Sequence, residues 1–211
     1  MSAEAEPLPP EDFRALLDPQ LPRWNRTLPG PALDRVAFFL AELDRWRRSV
    51  NLTGRLAAGE LVAHTLESLL GEPYLPRDSR AVDIGTGGGF PGVPLAIARP
   101  DVDMTWLEPR EKRAAFLRHV ARAVPVPNAR VVVGRYEELA DATFDAATSR
   151  AVKIDRASEA VRFLVPGGVL ILWTTESDRL REDRGSAGLR LEQSIPIPES
   201  RHRQIVVFRK G

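Results

Sequence analysis

The chain has 211 residues, 43% of them hydrophobic, a formal net charge of +1 and no cysteine. That length suits one large domain or a domain with a small extension, and the apolar fraction supports a packed core. The lack of cysteine excludes disulfides and thiolate metal sites, so no metal is expected, and it fits a cytoplasmic location. No apolar run approaches the ~20 residues of a membrane span, and the acidic, proline-bearing start Met-Ser-Ala-Glu-Ala-Glu-Pro is unlike a signal peptide. The charge is uneven. Residues 1–79 hold 9 Arg against 12 acids, whereas residues 80–211 hold 21 basic against 17 acidic residues. The second part therefore permits a local basic face.

In chain order, residues 1–10 read as a frayed tail and residues 11–17 as a short helix. Pro29-Gly30-Pro31 punctuates. Leu33, Val36, Phe39, Leu40, Leu43 and Trp46 then recur at helical spacing over residues 32–49, and Asn51-Leu52-Thr53-Gly54 ends that helix. Another helix is predicted over residues 58–70. Residues 1–78 thus form an expected helical N-terminal extension, and residues 79–211 an expected cofactor-binding domain.

From Arg80 onward, strands and helices alternate. Strands are predicted over residues 80–84, 103–107, 129–133, 144–148 and 168–173, and helices over 91–98, 110–124, 136–140 and 154–164. Such alternation implies an α/β fold with a mostly parallel sheet and helices on both faces. Pro166-Gly167-Gly168 reads as a turn into the fifth strand. Residues 189–195 and 203–209 read as two further strands without a crossover helix, an antiparallel pair that brings the sheet to seven.

The segment Ala81-Val82-Asp83-Ile84-Gly85-Thr86-Gly87-Gly88-Gly89-Phe90-Pro91-Gly92 is a strand, a glycine turn and a helix start. A dinucleotide fingerprint has glycine where this chain has Phe90. Asp83 precedes the turn, and a carboxylate there suits a cationic ligand better than a pyrophosphate. S-adenosylmethionine (SAM), with an ammonium, a sulfonium and no phosphate, fits.

Three more positions bear on a ligand. Glu108 ends the second strand, 23 residues after Gly85, where βαβ sites place an acid on ribose hydroxyls. Tyr136 and Glu137 follow the third strand, beyond the carboxyl ends where ligands of open sheets bind, and are candidates for adenine contact; a helix cap is the equal alternative for Glu137. Thr148-Ser149-Arg150-Ala151 follows the fourth strand. The planar fork of Arg150 suits a SAM carboxylate or an RNA phosphate, and a surface salt bridge is the plainer alternative.

Taken together, these segments resemble the bacterial 16S rRNA guanine-N7 methyltransferase G family. The matching stretches are Asn51-Leu52-Thr53, His64 with Glu67-Ser68-Leu69, Asp83 through Gly92, Lys112-Arg113 with Phe116-Leu117-Arg118, Gly134-Arg135 with Glu137-Glu138, and Thr148-Ser149-Arg150-Ala151. The resemblance implies a Rossmann-like class I SAM-dependent methyltransferase fold. It implies cofactor contacts at Gly85, Phe90, Tyr136, Glu137 and Arg150, with Glu108 as the ribose acid; the glycine turn itself adds Asp83 and Gly87 as cofactor-binding candidates. It also places Asn51, His64, Ser68, Lys112 and Arg113 at the site or its rim, with His64 expected to position rather than to transfer protons. The chain departs from the family with Glu67 for Asp, Pro109 for Ser, Arg47 for Asn, and Trp173-Thr174-Thr175-Glu176 in place of Lys-Gly.

The implied partner is 16S rRNA, as the small subunit or an assembly intermediate, met by a monomer with no membrane role. Arg47, Arg48, Lys112, Arg113 and Lys153 are the expected phosphate contacts. Guanine N7 carries an in-plane lone pair and needs no base, so orientation and electrostatics are the protein's task. Three rivals stand beside this: a SAM enzyme with another acceptor, an NAD-dependent oxidoreductase that Phe90 argues against, and a non-catalytic RNA-binding module of the same fold.

Overall fold

The structure is a computed structural model and describes residues 6–54, 56–141, 143–150, 161–175 and 188–211. It opens with α1 (Pro10–Leu17), where proline occupies the first turn and Glu11 and Asp12 face the positive helix end. A 3-10 stretch, Asp18–Trp24, stops at Asn25, which sits at φ 52. Next comes α2 (Gly30–Trp46), whose apolar stripe of Leu33, Val36, Phe39, Leu40 and Leu43 is buried as its spacing requires. In α3 (Ala58–Leu69), the Glu60 carboxylate reaches back to the Ala57 amide at 2.6 Å and satisfies an otherwise free donor. The chain is anchored earlier than expected: the Leu8 amide donates to Asp44 of α2 at 3.1 Å.

Strand and helix then alternate through β1 (Arg80–Ile84), α4 (Gly92–Ala98), β2 (Asp103–Glu108), α5 (Glu111–Ala123), β3 (Ala129–Val133) and β4 (Phe144–Arg150). The chain continues with β5 (Leu164–Thr175), β6 (Leu189–Pro196) and β7 (Arg203–Lys210). The seven strands lie in the order β3-β2-β1-β4-β5-β7-β6. Pairs from β3 to β5 are parallel, and β7 runs antiparallel to both β5 and β6. The order reverses between β1 and β4, so the carboxyl end of β1 opens a crevice at the switch point.

Each sheet face has its own core. One face contributes Ala81, Met104, Trp106, Ala146, Ile171 and Ile205 to a cluster shared with α1, α2, α3, α4 and α5. The other contributes Val82, Ile84, Leu107, Ala147, Leu170 and Val206, and packs against Phe163 with Tyr136 and Leu139 alongside. Burying both faces explains why β1, beyond its exposed first residue Arg80, is apolar except for Asp83.

Three expectations fail locally, the last of them over its described residues. The helix expected at 136–140 is a 3-10 turn, Tyr136–Glu138, too short to bury an apolar stripe. Pro166-Gly167-Gly168 is not a turn into β5 but an irregularity inside it. Phe144 pairs with Leu164 and Ala146 with Val169, so four residues oppose one, with Gly167 at φ 76. Of the helix expected at 154–164, residues 154–160 lie outside the described residues, and Val161–Phe163 is a 3-10 turn.

Candidate functional site

The crevice is built from the glycine turn. Gly85, Gly87 and Gly89 have φ of 74°, 58° and 101°, which only glycine adopts without strain. The turn is also packed too closely for side chains. A Cβ on Gly88 would lie 2.6 Å from the Thr53 methyl, and one on Gly89 2.8 Å from the Phe39 ring. The Asn51-Leu52-Thr53 segment therefore lies directly on the turn. It is fastened there by Arg113, whose Nε donates to the Asn51 carbonyl at 3.2 Å.

Asp83 is fully buried. It accepts the Thr148 hydroxyl at 2.7 Å and the Gly92 amide at 3.1 Å. Burial pushes its carboxyl up to about 6, opposed by these hydrogen bonds and reinforced by Glu108. With its oxygens turned inward, Asp83 ties the start of α4 at Gly92 to β4 at Thr148. Glu108 is 2% exposed, and its carboxylate takes the Gly87 amide on Oε2 and the Arg110 amide on Oε1, each at 2.9 Å. These two carboxylates, on neighbouring strands, make the crevice hostile to a pyrophosphate.

Beside Glu108 a cleft of about 390 Å³ is lined by Ile84, Gly85, Leu107, Pro109, Arg110, Gly134, Arg135, Tyr136 and Glu137. Gly85, Tyr136 and Glu137 are thus brought together as the sequence suggests. Arg162 joins them unannounced, donating to the Glu137 carbonyl at 2.6 Å and the Tyr136 carbonyl at 3.3 Å.

On the other side of β1 the turn leads to Phe90, whose ring meets Phe39 and His64 edge-on at 5.4 and 5.6 Å. Burial, then the charges of Arg150 and Arg203, draw the His64 imidazole down to about 4, so it is neutral at pH 7. Ser68 spends its hydroxyl on the His64 carbonyl at 2.7 Å, within α3. Arg150 is held inside the protein: Nη2 donates to Glu67 Oε2 at 2.6 Å and Nη1 to the His64 carbonyl at 3.4 Å. Burial lowers the Arg150 pKa, while Glu67 opposes that effect. The Glu67 carbonyl also takes the Trp173 indole N–H at 2.7 Å. No local pattern marks this use of Glu67, because its partners are 83, 106 and 136 residues away.

The expected phosphate contacts divide. Arg47 gives Nε and Nη2 to Asp44 at 2.8 and 2.5 Å, with Arg48 at 3.8 Å from the same carboxylate. Lys112 is exposed at the start of α5, with Arg113 beside it. Lys153 lies outside the described residues.

Comparison with known proteins agrees with this geometry. The Neisseria gonorrhoeae protein named ribosomal RNA small subunit methyltransferase G is 39% identical over 140 residues, 65% of this chain and 68% of its own. Its namesake from Ralstonia nicotianae is 36% identical over 172 residues, 76% and 77% of the two chains. Among solved structures, a methyltransferase from Pyrococcus furiosus aligns with TM-score 0.60 at 19% identity, covering 82% of this chain and 95% of its own. A SAM-dependent methyltransferase from Aquifex aeolicus aligns with TM-score 0.56 at 16% identity, covering 69% and 89%. These two show the fold. The family model described as rRNA small subunit methyltransferase G matches residues 33–188, and the chain belongs to that family.

Proposed function

We propose that the chain transfers the methyl group of SAM to N7 of a guanine in 16S rRNA, as a cytoplasmic monomer acting on the small subunit or an assembly intermediate. The observation that carries this is the Glu108 carboxylate, fixed by two backbone amides, with its chain neighbours Leu107 and Pro109 lining a cleft of about 390 Å³.

The residues present fit SAM. Each Glu108 oxygen has one amide donor and keeps a lone pair for a ribose hydroxyl. Gly85 and Gly87 let a ligand approach the backbone, where a Cβ would intrude. Tyr136 and Glu137 line the cleft, which supports their assignment to the adenine. Asp83 holds the turn in shape, and Phe90 walls the crevice towards His64. Residues 79–211 form the cofactor-binding part in this proposal. Residues 1–78 are an extension that brings Asn51, His64 and Ser68 to the acceptor side.

Bound SAM supplies a methyl group made electrophilic by its sulfonium. The protein's own residues then orient and exclude water. N7 needs no general base, and a neutral His64 against Phe90 offers a hydrogen bond or a wall instead of a proton. Arg150 lends positive potential from behind Glu67. Lys112, Arg113 and Lys153 serve RNA phosphates, whereas Arg47 and Arg48 serve Asp44 first.

Calorimetric titration with SAM, and with NAD as control, tests the cofactor side on the wild type and on Gly85→Asp. The expected result is SAM binding that the variant loses and no NAD binding. NAD binding without SAM binding would contradict the proposal.

A further inference from the structure

The Glu67 carboxylate is shared by two arginines. Arg203, the first residue of β7, gives Nη2 to Oε1 at 2.7 Å and Nη1 to Oε2 at 2.9 Å, a two-point fork. Arg150, the last residue of β4, reaches the same Oε2 at 2.6 Å. The Glu67 side chain is 2% exposed, that of Arg150 16% and that of Arg203 45%. One buried negative charge therefore faces two positive ones, and the excess positive charge is presented to solvent through Arg203.

The placement of this cluster is specific. Trp173 of β5 pairs with Arg150 across the sheet, and Thr175 pairs with Arg203. The cluster thus spans the β4, β5 and β7 ends on the α3 side, while the cleft beside Glu108 lies at the β1, β2 and β3 ends. The cluster reaches the glycine turn through His64, whose carbonyl takes Arg150 Nη1 and whose ring meets Phe90.

The cluster is also preorganised. Ser200 Oγ accepts both the Arg203 amide at 3.1 Å and its Nε at 3.4 Å, so Glu67 and Ser200 together fix the guanidinium. Among the described residues, Nε is engaged once and each terminal nitrogen once, which leaves two of its five N–H groups for a ligand. Arg201 and His202 precede it, both exposed, on the same β6–β7 connection.

The geometry points to Arg203, backed by Arg150 and oriented by Glu67, as a phosphate-receiving subsite that seats the RNA backbone next to the target guanine. This rests on the rRNA reading above. A carboxylate between two guanidiniums keeps them apart and aimed, so a phosphate meets a set fork without reordering a long side chain.

The test compares wild type, Arg203→Ala, Arg203→Lys and Arg203→Gln for 16S rRNA affinity over a salt series, for kcat and KM on small subunits, for SAM affinity and for melting temperature. Arg203→Ala is expected to raise KM by about 5–30-fold with kcat near wild type and SAM affinity unchanged, and to flatten the log–log salt slope by about 0.7–1. Arg203→Lys keeps the slope. Arg203→Gln keeps hydrogen-bonding groups without the charge, so it reads the same loss if the alanine variant fails to fold. A wild type that methylates 16S rRNA, with Ala and Gln variants that keep its slope and KM while melting lower, overturns the subsite and leaves the triad as a clasp between α3 and the sheet. A wild type that binds SAM but neither binds nor methylates 16S rRNA overturns the underlying reading and the subsite with it.

Discussion

The amide of Gly87 donates to Oε2 of Glu108 at 2.9 Å, joining the glycine turn after β1 to the end of β2. The link serves two ends: it holds a residue at φ 58 in place, and it fixes the carboxylate offered to a ribose. Glu108→Gln tests both. Its amide group must face either the Gly87 or the Arg110 N–H, donor against donor, leaving a buried donor unsatisfied at about 1–3 kcal/mol. SAM affinity is expected to fall about 10–100-fold by calorimetry, with a lower melting temperature. Unchanged affinity would remove Glu108 from the cofactor site.

Asp83 and His64 give opposite pH dependence. The Asp83 carboxyl, raised to about 6, binds its proton in the folded state while the unfolded chain has released it. Stability from this group therefore falls as pH rises from about 4 to about 6, by roughly 3 kcal/mol. His64, lowered to about 4, stays neutral in the fold while the unfolded chain protonates, so its contribution rises from about 4 to about 6.5. Urea denaturation at a series of pH values should show Asp83→Asn with stability rising more steeply through this window than wild type. His64→Gln should show the reverse. Parallel profiles for all three proteins would contradict these assignments.

Arg47 and Lys112 should separate stability from RNA binding. Arg47 neutralises Asp44, whose side chain is 5% exposed. Arg47→Ala is expected to destabilise the fold by about 1–3 kcal/mol and to leave the salt dependence of RNA affinity nearly unchanged. Lys112 is exposed, so Lys112→Ala should keep stability within about 0.5 kcal/mol and flatten the salt slope by about 0.7. Denaturation and RNA titration on both variants check this, and the opposite assignment would place the RNA path over α2.

Local signals were legible. Strands at residues 80–84 and 129–133 have the bounds their apolar runs suggest, and Glu108, singled out by its spacing from Gly85, does meet the glycine turn at the Gly87 amide. Contacts that span the chain were not. Glu67 reads as an ordinary helix residue until β7 brings Arg203 beside it. Arg47 reads as a free cation because Asp44 is one helical turn away, a pairing that surface and buried positions share in sequence. Pro166-Gly167-Gly168 carries turn chemistry, yet β5 is paired with β4 on both sides of it, and the strand absorbs the residues as a bulge. Tertiary pairing outweighs local preference in each case.

The central claim is methyl transfer to guanine N7 of 16S rRNA. It is tested most directly by incubating the protein with methyl-labelled SAM and small subunits, then locating the label. The account predicts label in one guanine of 16S rRNA, at a position that base-sensitive chain cleavage identifies as N7-methylated, and loss of that label with Glu108→Gln. Label in another base, in protein or in a small molecule would contradict it, as would SAM binding with no transfer to RNA.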